Sequence, residues 1–232
     1  MTNYQYRVSF GYGLTPIIKK LLIIMAAVFF LQTMVSGRIT LYLGLVPVLV
    51  WKEYFLWQLF TYIFLHGGIS HLLFNLLALW MFGGELENYW GSKKFTHYFF
   101  FCGIGAAVCT VVFTPFQHIP VIGASGAIYG LLLAYGWLFP RRPIYVYFLL
   151  PIPAKYFVII YGVLEFFYFS RGGTGGGVAH LTHLGGLLFG LIYLGVPRIR
   201  QRIRREAYKR KSSQKGPGNG PGSGPGSGGT YN

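Results

Sequence analysis

The feature that most constrains this chain is a series of six apolar segments, at approximately 18–36, 66–84, 94–114, 124–139, 154–170 and 178–196. Each is near the roughly 20 residues a helix needs to cross hydrocarbon; the shorter ones require a thin bilayer or shielding by neighbours. Lipid offers no partner to backbone N–H and C=O groups, so an apolar segment of this length spans as a helix. The expectation is an all-α polytopic membrane protein, a six-helix bundle with its core at 18–197. Composition agrees: 53% of residues are apolar and 11% charged, against about 25% charged in a soluble domain. That balance argues against a soluble globular domain, a disordered chain and a simple nucleic-acid binder.

Charge then orients the bundle. There are 20 Lys and Arg residues and five acids, all Glu, with no Asp. Six spans place both ends on one side. That side receives Arg7, Lys19, Lys20, Lys93, Lys94, Arg141, Arg142, Lys155 and the nine basic residues between Arg198 and Lys215, while Arg38, Lys52 and Arg171 fall on the other. Cytoplasmic loops carry the excess of Lys and Arg, so both termini are expected in the cytoplasm. The segment 1–17 reads as a cytoplasmic N-terminal segment. The run 198–215 follows an apolar segment directly and reads as a cytoplasmic juxtamembrane tail rather than a nucleic-acid patch. Residues 216–232, rich in Gly, Pro and Ser, have nothing to bury and are expected to be disordered. The first apolar run lacks a clear small-residue cleavage site and is kept as a span.

The connections are uneven. The long loop 37–65 is apolar, with Trp51, Tyr54 and Trp57, and suits a structure lying partly in the membrane interface. Residues 144–150 favour strand, and Pro151 and Pro153 set the start of the fifth span near Ala154. The loop 171–177, Arg-Gly-Gly-Thr-Gly-Gly-Gly, is a plain linker or a gate. Cys102 and Cys109 stand seven apart on one segment, about 10 Å along a helix, too far for a disulfide.

Polar groups inside a span cost free energy and are functional candidates by default. Here they are His66, His71 and Asn75 in span two, Ser125 in span four, Glu165 in span five, and His180 and His183 in span six. His71, Asn75, Ser125 and His183 all fall in the outer halves of their spans, at similar depth. His71 and Asn75 share a helical face, and Tyr129 can lie one turn below Ser125. Gly126-x-x-x-Gly130 and Gly186-x-x-x-Gly190 permit close helix contact in lipid, and His183 shares a face with the second pair. Packing along these glycines would bring Ser125 and His183 to hydrogen-bond distance. A Ser–His pair is the minimum for nucleophilic acyl transfer. With no Asp in the chain a dyad is expected, Glu165 being at most a distant orienter. The backbone N–H of Ser125 and the side chains of His71 and Asn75 can supply oxyanion donors. Each residue also has a plainer reading: a lone Ser bonds its own helix, His-x-x-x-Asn serves as inter-helix glue, and His180-x-x-His183 is half a metal site without the accompanying H-E-x-x-H or carboxylate cluster. No cofactor and no metal is expected.

These motifs together resemble the rhomboid intramembrane serine proteases, over roughly 18–197. Trp57-Gln58 is similar to the Trp-Arg of the family's first outer loop. His66-x4-His71-x3-Asn75, then Gly83-Gly84-x-x-Glu87 and Gly91-Ser92, follow the family's pattern. Gly123-Ala124-Ser125-Gly126 matches its G-x-S-G. Ala179-His180-Leu-Thr-His183-Leu-Gly-Gly186-x-x-x-Gly190 matches the span-six motif, in which the catalytic histidine precedes Gly at +3 and +7; His183 satisfies both and His180 neither. The resemblance implies Ser125 as nucleophile, His183 as general base and acid, Tyr129 as a ring beside it, His71 and Asn75 as oxyanion donors, and Glu87 as a structural residue. Gln58 departs from the family's Arg and removes a charged anchor from the outer loop. With no seventh span or large added domain, the chain looks like a bacterial member, placed in the cytoplasmic membrane.

The expected activity is therefore endopeptidase cleavage within or near the outer end of substrate transmembrane helices. The active site would open to the outer face, because hydrolysis needs water. The partners are transmembrane proteins and the lipid bilayer, with no nucleic acid. Spans two and five, or loop 171–177, are the expected gates. The alternatives are a catalytically inactive rhomboid-like scaffold that binds transmembrane clients, and a channel or transporter using His66, His71 and Asn75 as a polar path, which would be expected to show an internal repeat.

Overall fold

The structure is a computed structural model and describes residues 14–35, 38–146, 149–171 and 179–196. Residues 1–13 of the N-terminal segment, residues 172–177 of the candidate gate, the basic run 198–215 and the tail 216–232 lie outside the described residues.

Helices occupy the six apolar segments. They are α1 (Pro16–Met34), a rod formed by α5 (Ile69–Ala78) and α6 (Gly84–Trp90), α7 (Ser92–Phe113), α8 (Ser125–Leu138), α9 (Ala154–Ser170) and α10 (Ala179–Val196). Four of them are long and apolar enough to cross a membrane: α1, the Ile69–Trp90 rod, α7 and α10. The shorter α8 has 14 residues, about 21 Å of helix at 1.5 Å per residue. It is the most enclosed by its neighbours, with Gly126, Ala127, Ile128, Gly130, Leu131, Leu132, Ala134, Tyr135 and Gly136 all buried.

The all-α expectation needs one correction. Residues 143–153 form a two-stranded antiparallel hairpin, β1 (Pro143–Val146) and β2 (Leu150–Pro153), with Ile144 opposite Ile152. The strand preference of Ile-Tyr-Val-Tyr is realised, but as one arm of a hairpin rather than a single strand over 144–150. The prolines sit where a two-stranded ribbon tolerates them, at its ends and on strands that are both edges. The fifth apolar helix then starts at Ala154.

The loop 37–65 is largely helical. It contains α2 (Arg38–Leu43), α3 (Pro47–Lys52), α4 (Gln58–Thr61) and a 3-10 turn, Tyr62–Phe64. Gln58 anchors it. Its fully buried amide accepts from Val46 N at 2.9 Å and donates to the carbonyls of Leu41 at 2.9 Å and Tyr42 at 3.2 Å. A neutral amide that both donates and accepts thus satisfies this segment's backbone without a charge to desolvate. Leu45 and Val121 exchange backbone hydrogen bonds, tying the loop to the approach to α8.

Glu87 acts at the start of α1. Its carboxylate accepts from Ile17 N at 3.0 Å and Ile18 N at 3.1 Å, from the Thr15 hydroxyl, and from Ser92 Oγ at 2.6 Å. The first N–H groups of a helix have no intrahelical partner and favour negative charge. Thr15 makes no capping bond from its own side chain, so a carboxylate from another helix takes that place. Glu85, two residues earlier, pairs with Arg142 and accepts from Tyr135 Oη at 2.9 Å. Between α5 and α6 the rod contains a π turn, Leu79–Gly83, where α1 passes; a Cβ on Gly83 would meet Ile18 Cδ1 at 2.6 Å.

Lipid gives helices no hydrophobic reason to associate, so close packing and hydrogen bonds hold such a bundle together. Fully buried Ile63, Tyr98, Phe99, Cys102, Ala127 and Leu131 form its centre. Tyr62 Oη donates to the Gly103 carbonyl at 2.7 Å, and Tyr98 Oη to that of Gly130 at 2.7 Å. Thr110 and Thr182 hydroxyls meet at 2.7 Å between α7 and α10. Both cysteines are buried free thiols on α7.

Candidate active site

The glycine pairs set the geometry. A Cβ added to Gly186 would lie 1.9 Å from the carbonyl oxygen of Gly126, and one added to Gly190 would lie 3.4 Å from the Gly130 α-carbon. The backbones of α8 and α10 therefore touch along the seam expected from the two GxxxG pairs. Ser125 is the first residue of α8 and His183 sits one turn before Gly186 on the facing helix. The result is a contact of 2.8 Å between Ser125 Oγ and His183 Nε2.

The ring of Tyr129, one turn below Ser125, stacks on the His183 imidazole with centroids 4.3 Å apart and planes at 12°. The opposite ring nitrogen, His183 Nδ1, lies 3.1 Å from Glu165 Oε1. That contact is one of charge and proximity: among the described residues Nδ1 has no acceptor in hydrogen-bond geometry. Glu165 is buried in α9 and also accepts from the Tyr129 hydroxyl, while its second oxygen meets His180 Nδ1 at 2.5 Å. Sequence reasoning placed Glu165 at a distance and found no carboxylate for His180. The fold supplies it from α9, a helix whose apolar surroundings hid its register.

His71 and Asn75 stand against Gly123, two residues before the serine. Gly123 has φ +120°, and a Cβ there would lie 2.8 Å from His71 Cε1 and Nε2 and 3.7 Å from Asn75 Nδ2. Only glycine fits both the backbone angle and the space. The Gly67 N–H approaches His71 Nδ1 at 3.4 Å, an arrangement in which Nδ1 accepts and the neutral ring carries its proton on Nε2, toward Gly123. Asn75 Nδ2 donates to the His71 carbonyl at 3.1 Å within its own helix. His66 is buried behind, its ring edge-on to His71 at 5.3 Å. Gln32 of α1 fixes the His66 backbone, donating to its carbonyl at 2.9 Å and accepting from its N–H at 3.1 Å. No pattern of spacing signals this role of Gln32, which stands beside Thr33 near the end of an apolar helix.

The arrangement joins a hydroxyl on an imidazole nitrogen to a helix N-terminus whose first N–H groups lack intrahelical partners. Two polar side chains face the same turn. Chemically, it can deprotonate a serine and receive a developing negative charge. A Ser–His pair on touching helices is the minimum that nucleophilic acyl transfer requires.

The comparisons are specific. A family model, the Rhomboid domain, matches residues 54–198, more than half of the chain. The chain belongs to the rhomboid family. It is 38% identical over 147 residues to the rhomboid protease GluP of Bacillus subtilis, covering 61% of this chain and 27% of that protein. With the rhomboid protease GlpG of Salmonella newport it shares 32% identity over 162 residues, covering 68% and 53%. With the mitochondrial rhomboid protein 1 of Saccharomyces cerevisiae it shares 28% over 134 residues, covering 56% and 38%. The matched region thus spans between about a quarter and a half of these relatives' own lengths. Family and apolar helices together make this an integral membrane protein of a protease family.

Proposed function

We propose that this protein is an intramembrane serine endopeptidase, with Ser125 as nucleophile and His183 as general base and acid. The observation that carries the reading is the 2.8 Å contact between Ser125 Oγ and His183 Nε2, made between two helices whose backbones touch at glycines. The imidazole takes the hydroxyl proton as Oγ attacks the scissile carbonyl, then returns it to the leaving amine. The Ser125 N–H and the side chains of His71 and Asn75 receive the oxyanion, Asn75 by releasing its bond to the His71 carbonyl. Tyr129 holds the imidazole plane; Gly123, Gly126 and Gly186 bring the parts together; His66 backs His71; Glu87 holds α1 in place.

The substrate class follows from the medium. A peptide bond within a helix is hydrogen-bonded and hidden, so it must be extended before attack. The predicted substrates are transmembrane helices that unwind near their outer end. Six spans, with both termini in the cytoplasm and the site open to the outer face, is the topology that the distribution of basic residues supports. The short α8 crosses where neighbours enclose it, and the 17-residue α9, largely exposed to lipid, crosses where the bilayer thins to match it. A client-binding scaffold without activity is the alternative; the Ser125–His183 contact favours the enzyme.

Purified protein is tested on a transmembrane-segment substrate. Wild type cleaves it, and Ser125→Ala and His183→Ala do not. Cleavage surviving in Ser125→Ala removes the dyad; no cleavage by wild type of any transmembrane substrate leaves the scaffold.

A further inference from the structure

We propose that Glu165 is the positioning residue of the Ser125–His183 pair, so that the site works as a Ser–His–Glu arrangement assembled from α8, α10 and α9. The inference rests on the serine protease reading of the same site. For Nε2 to accept the Ser125 proton, the neutral His183 ring must carry its hydrogen on Nδ1. Glu165 Oε1 lies 3.1 Å from that atom. The position needs an acceptor: Nδ1 is buried, none of the described residues meets it in hydrogen-bond geometry, and the Glu165 carboxylate is the charged group beside it, needing only a small turn to accept. Orientation of the base by a carboxylate on its far nitrogen is the logic of a triad, met here with Glu on a separate helix.

The carboxylate is itself held. Tyr129 donates to Oε1, and His180 Nδ1 sits 2.5 Å from Oε2. Tyr129 thereby acts on the imidazole in two ways, stacking on its face and fixing the carboxylate beside it. His180, whose ring stacks on Tyr168 of α9 at 5.3 Å, holds the second oxygen and keeps Oε1 turned toward His183. A buried carboxylate in a span is costly unless so satisfied. The same three residues, Glu165, His180 and His183, have donor atoms within 4.8 Å of one another. The His180–Glu165 contact is direct, ring nitrogen to carboxylate oxygen.

Proton movements balance without protonating Glu165. The Ser125 proton passes to His183 Nε2 as the Oγ–C bond forms and the carbonyl π pair moves to oxygen. The imidazolium keeps Nδ1–H toward the ionised Glu165. When the C–N bond breaks, the Nε2 proton goes to the amine.

The test compares wild type, Glu165→Gln, Glu165→Asp and His180→Ala on a transmembrane substrate, with thermal unfolding and the rate of phosphonate labelling at Ser125 measured on each. Glu165→Gln is expected to lower kcat by about 10² or more, with KM within about twofold and labelling slowed in parallel; Glu165→Asp falls between. A role as a mere clamp between helices would lower the melting temperature while kcat of the folded fraction stayed at wild type. That outcome, or kcat within threefold of wild type in whichever Glu165 variant folds, overturns the proposal. If Glu165 variants fail to fold, His180→Ala carries the same kcat and labelling test. A dead Ser125→Ala with a fully active Glu165→Gln removes Glu165 alone; an active Ser125→Ala removes the protease reading itself.

Discussion

Gly186→Ala probes the seam on which the site depends. The new Cβ would stand 1.9 Å from the carbonyl oxygen of Gly126, where ordinary contact begins at 3.4 Å. The difference, about 1.5 Å, must come from the two backbones, because the obstructing atom is main chain and not the end of a flexible side chain. A shift of that size along the Oγ···Nε2 line takes the Ser125–His183 contact from 2.8 Å to about 4.3 Å, beyond any hydrogen bond. Overpacking of this kind costs about 1–3 kcal/mol of stability. A misplacement of about 1 Å between reacting groups costs about 10² in rate, so activity should fall by at least that factor. The assay is cleavage of a transmembrane reporter by protein in detergent, with thermal unfolding in parallel. Gly84→Ala is the control: it is also a helical glycine, and its Cβ meets nothing within 4 Å. It should be neutral or more stable by up to about 1 kcal/mol. A folded Gly186→Ala protein with wild-type activity would refute the claim that direct backbone contact at this glycine places the dyad.

Other predictions follow from the same geometry. Gly123→Ala combines a φ of +120° with a Cβ 2.8 Å from the His71 ring; activity should drop by about 10² or more through displacement of His71, with a loss of oxyanion stabilisation readable as lower kcat. Glu87→Ala leaves the N–H groups of Ile17 and Ile18 and the hydroxyls of Thr15 and Ser92 without their acceptor. It should destabilise the fold by about 2–4 kcal/mol, measured by thermal unfolding, while the protein that remains folded cleaves at the wild-type rate.

Much of the helical framework was legible because each apolar run must pair its own backbone in lipid. The starts of α8 and α9 fall within a residue of the apolar segments at 124–139 and 154–170. The α8–α10 seam was legible because small residues at i and i+4 leave backbone exposed on one face, and Ser125 and His183 lie on that face. The hairpin at 143–153 was only half legible: β propensity marked one arm, and the turn between the arms carried no strong signal. The contacts of Glu165 were not legible, because an isolated acid in an apolar helix shows depth but no azimuth. Which neighbours it faces depends on how α9 leans on α8 and α10, a tertiary property. Gln32 escaped for a related reason, and Gln58, noted only as the loss of a charged anchor, proved to anchor the loop as a neutral amide. A neutral amide has no spacing signature, and its value lies in the distant backbone groups it pairs.

The most direct test of the central claim is covalent labelling of the detergent-solubilised full chain with a serine-directed phosphonate, read by mass spectrometry of its peptides. The account predicts an adduct on Ser125 in wild type, lost in Ser125→Ala and slowed by at least about 10³ in His183→Ala. An adduct on another serine, or labelling of Ser125 at the wild-type rate in a folded His183→Ala protein, would contradict the assignment of these two residues as nucleophile and base.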